Sequence, residues 1–224
     1  HHDHVRDTVY GSSKVDGWGQ DYFTDIYEKY PQIVHFSGHS HYPLNDPRSI
    51  WQGEFTAVGT GSLYYAEHTV DGENCIHPED NDKMAQCWIV EVDSENRVRL
   101  RGFDALSGEV LVEYVLENLT DASDRQYTPA QRIAASSAPE FETAKIKKAV
   151  KTGDKYKVTI PAAKSTDGSI VFIYRATVYN MAGQELSSAY IVNNYQIAGC
   201  YDEITFTLGL PAGSHVEFVA ENAY

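Results

Sequence analysis

Cysteine is scarce. Cys75, Cys87 and Cys200 are the only three in 224 residues, and none belongs to a Cys-x-x-Cys pair. That spacing argues against a zinc knuckle or a thioredoxin-like redox centre. Cys75 and Cys87 could close one small loop in an oxidising compartment, which would leave Cys200 odd; three buried or idle thiols is the plainer reading. Positive charge is short too, with 18 Lys and Arg against 32 Asp and Glu and a formal charge of −14. Without basic clusters the chain is not expected to bind nucleic acid or anionic membrane non-specifically, and an anionic substrate would need locally bound cations. No run approaches the ~20 apolar residues of a membrane span. No signal peptide is visible, which carries no weight in a chain expected to begin mid-domain. A Gly-x-Ser-x-Gly elbow is absent as well, so nothing points to serine-based acyl transfer.

What is present is the composition of a globular protein, 42% hydrophobic with 16 Tyr and 3 Trp. Phe23, Ile26, Tyr27 and Tyr30 fall at i, i+3, i+4 and i+7, which predicts a short helix ended by Pro31. Residues 33–36 read as a strand running into the turn Ser37-Gly38, and 55–58 as a second strand closed by Gly59-Thr60-Gly61. Residues 65–83 are polar and read as a surface loop. Two β-rich runs, 87–92 and 97–103, are joined by the turn Asp93-Ser94-Glu95-Asn96, and a third follows at 110–116.

Composition then shifts. Residues 121–139, rich in Ser, Ala, Asp and Gln, read as a linker between a first domain over 1–120 and a second over 140–224. In the second, Tyr156, Val158 and Ile160 alternate with polar residues, as do Ile204, Phe206 and Leu208, and Val216, Phe218 and Ala220. A longer apolar run spans 170–179. Turns at Thr166-Asp167-Gly168, Met181-Ala182-Gly183 and Leu210-Pro211-Ala212-Gly213 separate the strands, the pattern of an all-β sandwich. Its last segment, from Leu210 to Asn222, resembles the final strand of fibronectin type III domains.

Chemistry concentrates in the histidines. Five of the nine stand at positions 1, 2, 4, 39 and 41. On a regular strand His39 and His41 would point to opposite faces. On the turn after a strand they can converge, and Gly38 lets the backbone fold tightly enough for that. Imidazole suits zinc, iron and nickel. A lone His-x-His is more often structural than a ligand pair, so the surrounding sequence has to decide.

The block from Ser37 to Gly53, SGHSHYPLNDPRSIWQG, resembles the Gly-His-x-His signature of a bacterial branch of the calcineurin-like metallophosphoesterase superfamily. Upstream, residues 2–12 (HDHVRDTVYGS) are similar to the segment that supplies the preceding lone histidine. Downstream, 55–64 (FTAVGTGSLY) and the hairpin at Asp93 also fit, so the resemblance covers roughly residues 1 to 116. It implies an α+β protein: the C-terminal half of a metallophosphoesterase α/β sandwich, then the β-sandwich.

The resemblance also implies roles. His2 and His39 would bind one metal ion and His41 the other, with His1 and His4 as alternatives to His2 in the same crowded segment. No residue is assigned a catalytic role outright; His4 is the one candidate. Tyr10, Tyr42 and Arg48 lie near enough in sequence to line a substrate pocket. The expected substrate is a phosphorylated small molecule or other phosphoester. The expected cofactor is a pair of divalent or trivalent ions, Mn, Zn or Fe, which clamp the phosphate oxygens. The superfamily's earlier blocks, Asp-x-His, Gly-Asp and Gly-Asn-His, are missing, and the only Gly-Asp, Gly153-Asp154, lies far downstream. The chain is therefore expected to lack the N-terminal half of its domain, to hold at most one weakly bound ion and to be inactive alone.

Overall fold

A computed structural model describes residues 2–13, 18–70, 75–143, 146–197 and 201–224; His1, Cys200 and part of the 65–83 loop lie outside these. The chain divides into an N-terminal unit, His1–Ala135 with Gln196–Ala198, and a C-terminal unit, Ser136–Tyr195 with Gly199–Tyr224. Strand makes up 40% against 8% helix, so the protein is mostly β, in keeping with the expected β-sandwich.

Two three-stranded sheets build most of the N-terminal unit. In the first, β1 (Val34–Ser37) runs parallel to β3 (Thr56–Gly59), which pairs antiparallel with β2 (Ile50–Gln52). The second is an antiparallel meander of β4 (Gln86–Val92), β5 (Val98–Asp104) and β6 (Glu109–Leu116), with β5 in the middle. Alternation along β1 to β3 gives two apolar faces. Val34, Phe36, Ile50 and Val58 pack with Val98, Leu100, Tyr114 and Leu116 of the meander. Ala57 and Trp51 turn the other way, onto Phe55, Val5 and Val9. Trp88 Nε1 donates to Gly59 O at 2.7 Å, fastening the meander to the end of β3. The turn at Asp93 forms as expected, its carboxylate accepting from Glu95 N and Arg97 N.

The predicted helix shrinks to α1 (Thr24–Tyr27), four residues with no buried side chain among them. The 121–139 stretch is not a free linker. Gln126 N and Tyr127 N both donate to Gln52 Oε1 at 3.0 Å, and α2 (Pro129–Ala135) places the Arg132 guanidinium on the carbonyls of Pro47 and Ile50. The unit boundary accordingly falls after Ala135.

The C-terminal unit is a β-sandwich of two antiparallel three-stranded sheets. One contains β7 (Lys148–Thr152), β8 (Lys155–Pro161) and β11 (Glu203–Leu208), in the order β7-β8-β11. The other contains β9 (Ile173–Tyr179), β10 (Glu185–Val192) and β12 (His215–Glu221), in the order β10-β9-β12. Val158, Ile160, Ile204, Phe206 and Leu208 from the first sheet meet Tyr174, Ala176 and Ala220 from the second in one core. Gly153-Asp154 is the two-residue turn between β7 and β8, with Gly153 at φ 65° as such turns require, so the chain's only Gly-Asp is a hairpin device.

Because this core draws on residues of its own unit, a polypeptide of residues 136–224 should unfold in one cooperative transition and give a dispersed amide spectrum. A collapsed spectrum without a transition would show that the sandwich depends on the first unit.

Candidate metal centre

The histidine motif sits where β1 ends. Thr60 holds the Ser37 carbonyl through both its backbone N, at 2.8 Å, and its hydroxyl, at 3.1 Å. The chain then reverses tightly: Ser40 N donates to Gly38 O at 3.1 Å across His39, whose φ is 79°. This is a γ-turn of the rare left-handed kind. His41 also has positive φ, at 54°. Among the described residues the other non-glycine positions with positive φ are Asp7, Asp80 and Asn96, types whose short polar side chains suit it. Two strained histidines within three residues mark this loop as one held by its surroundings.

The reversal brings His39 to His2. Their ring nitrogens, His39 Nδ1 and His2 Nε2, lie 2.8 Å apart, with ring centroids at 4.5 Å and an interplanar angle of 68°. Trp18 closes on the same ring edge-on, centroid to centroid 4.9 Å. Two nitrogens bound to one tetrahedral zinc at ~2.0–2.1 Å would stand ~3.3 Å apart, so this pair needs to open by only about half an ångström to accept an ion. His41 does not join them. Its ring packs edge-on against Tyr65 at 4.4 Å, and its Nδ1 is buried without a hydrogen-bond partner among the described residues. No group of three or more His, Cys, Asp or Glu able to hold a metal occurs among the described residues. Among the described residues, the donors that converge are these two imidazoles, a pair that fits a single ion.

His4 is placed quite differently from His2. It is 1% exposed; its Nδ1 hydrogen-bonds Ser37 Oγ at 2.7 Å and its Nε2 hydrogen-bonds Ser40 Oγ at 2.9 Å. Burial first, and the nearby His39 second, lower its pKa to about 4. With both nitrogens engaged and the ring out of solvent, it is neither available as a ligand in place of His2 nor presented to a substrate as a proton donor.

The residues expected to line a substrate pocket face inward. Tyr42 is 3% exposed and packs on Tyr10 with centroids 3.8 Å apart. The Tyr10 hydroxyl donates to Thr69 O at 2.6 Å and accepts from Thr69 N at 2.8 Å, and burial pushes its pKa up. Arg48 lies over the Tyr10 ring at 3.7 Å and makes two side-chain bonds to the fully buried Asp46, at 2.9 and 2.7 Å. Near this cluster His68 is fully buried, stacked 6.5 Å from Tyr42, and burial lowers its pKa to about 3. The group therefore braces the loop that carries the histidines and offers a ligand little surface. Sequence proximity selected these residues, but it does not report which way a side chain faces. Ser37 and Ser40, whose hydroxyls meet the His4 ring, stand inside the motif itself.

Comparison with protein families, with characterised proteins and with solved structures returns no match for the chain.

Proposed function

We propose that this chain is part of a metal-dependent phosphoesterase, contributing one histidine cluster to a site completed by ligands it does not itself carry. The observation that carries the reading is the 2.8 Å approach of His2 Nε2 to His39 Nδ1, two residues 37 positions apart that the metallophosphoesterase resemblance designates as ligands of one ion. The edge position of β1 agrees with it: among the described residues β1 is the edge strand of its sheet and pairs parallel to β3. Bound metal would neutralise the phosphate oxygens of a mono- or diester, which a chain of charge −14 needs. His2 and His39 would hold that ion, Mn, Zn or Fe. His41 would serve a second ion only when other residues complete its coordination.

A second reading, a binding or accessory β-sandwich beside a non-catalytic histidine region, is favoured by the separate compactness of the C-terminal unit and by the lack of a three-ligand group among the described residues. Cobalt(II) titration followed by its visible absorption tests the metal centre on which the first reading rests. His39→Ala and His2→Ala should each weaken cobalt binding at least about tenfold, whereas His215→Ala, on the C-terminal unit, should leave it unchanged. Cobalt binding indifferent to His39→Ala would refute the metal-centre reading.

A further inference from the structure

We propose that His4 is a positioning residue, its ring clamping Ser37 to Ser40 and thereby holding His39 in the turn that faces His2. This rests on the metal-centre reading and concerns what builds that centre. His4 reaches 33 residues along the chain to Ser37, the last residue of β1, and 36 to Ser40, which closes the γ-turn. One planar ring thus spans the mouth of the turn whose interior is Gly38 and His39. Ser37 is 0% exposed and Ser40 5%, so each hydroxyl would lose its ring partner out of contact with water if His4 were removed.

The geometry explains why such a clamp is needed. Left-handed backbone disfavours non-glycine residues, and His39 and His41 both adopt that conformation on either side of Ser40. A hydrogen bond at Ser40 fixes the peptide between the two strained residues. A neutral imidazole donates from one nitrogen and accepts at the other, and a serine hydroxyl can do either, so both bonds survive whichever tautomer His4 adopts. His2 lies only two residues upstream of this fastened ring. His4 and Val5 form a short parallel pairing with Gly19 and Gln20, which fixes the backbone leading to His2. One buried side chain therefore joins the two segments that carry the converging nitrogens.

The test measures cobalt(II) affinity and unfolding on the same proteins. Ser40→Ala and His4→Phe should each weaken cobalt binding about 10–100-fold, the range for residues that orient a metal ligand. The folded fraction, followed by tryptophan fluorescence, should remain near that of the unaltered chain at the titration temperature. A purely packing role would lower the unfolding midpoint and leave the affinity of the folded protein where it was, and that result would overturn the clamp. If His4→Phe does not fold, Ser40→Ala decides alone, because it removes one hydroxyl. His39→Ala is the reference. If it abolishes cobalt binding while Ser40→Ala and His4→Phe do not weaken it, only the clamp fails. If the unaltered chain shows no His39-dependent binding, the metal centre fails and the clamp fails with it.

Discussion

Acidification from pH 7 to pH 5 is expected to cost the N-terminal unit on the order of 4 kcal/mol of stability and to leave the C-terminal unit nearly untouched over the same range. His4 and His68 are both buried in the neutral form, with pKa values lowered to about 4 and about 3 from the ordinary 6.5. In the unfolded chain both protonate below ~6.5. The unfolded state then binds more protons than the folded one, so stability falls as pH falls. The full contribution is present above pH 6.5; the loss levels off only below about 4 for His4 and about 3 for His68. At pH 5 each contributes a loss of roughly 2 kcal/mol by linkage. The single histidine of the C-terminal unit, His215, is exposed. Trp18, Trp51 and Trp88 all lie in the N-terminal unit, so tryptophan fluorescence during urea unfolding reads that unit selectively. Its midpoint should drop sharply at pH 5, and His68→Gln should remove about half of the drop. An unchanged midpoint would mean that the two rings are already solvated or charged in the folded protein.

If the proposed phosphoesterase reading holds, the polypeptide supplied upstream with the Asp-x-His, Gly-Asp and Gly-Asn-His blocks it lacks should hydrolyse a generic aryl phosphate when given manganese, zinc or iron. The 224 residues alone are expected to show none above background. Two-metal phosphoester hydrolysis needs two ions ~3.5–4 Å apart, each with a closed ligand set. The described residues offer two converging imidazoles, a third ring set against Tyr65, and no carboxylate in the group. In the extended protein His39→Ala should reduce turnover to background, because it removes one of the two nitrogens that meet at 2.8 Å. The C-terminal unit should stay folded, as its core contains no residue of that loop. Turnover by the 224-residue chain, free of contaminating hydrolase and lost on His39→Ala, would show that the ligand set is complete as it stands.

The sandwich was the most legible part of the sequence. Along β11, Ile204, Phe206 and Leu208 are buried while Glu203, Thr205 and Thr207 are exposed, because that sheet has one face on the core and one in water. β10 could not be read the same way. Leu186, Ser187, Ser188 and Tyr190 are all exposed on an edge strand, so no alternation was imposed on them. The helix expected around residues 23–30 forms only as Thr24–Tyr27, for a different reason. Periodicity presumes a surface to pack against, and Phe23, Ile26 and Tyr30 are 38%, 51% and 50% exposed, with Tyr27 alone of the four packed against a described core. At the candidate site, the turn at His39 was legible from Gly38 and the His-x-His spacing. The resemblance named His2 first, with His1 and His4 as alternatives; what it did not carry is the pair of serine hydroxyls that only the fold brings to the His4 ring.

The left-handed backbone at His39 sets two selections against each other. Judged by folding alone, the position favours glycine, which adopts φ near 79° without a Cβ penalty, or asparagine after it. Judged by the proposed metal centre, which needs its ring nitrogen, it calls for histidine. A population of variants sorted for thermal resistance would therefore drift toward glycine at this position, and one sorted for retained metal would return to histidine. The amino acid that wins under each regime reads out directly which of the two demands that residue serves.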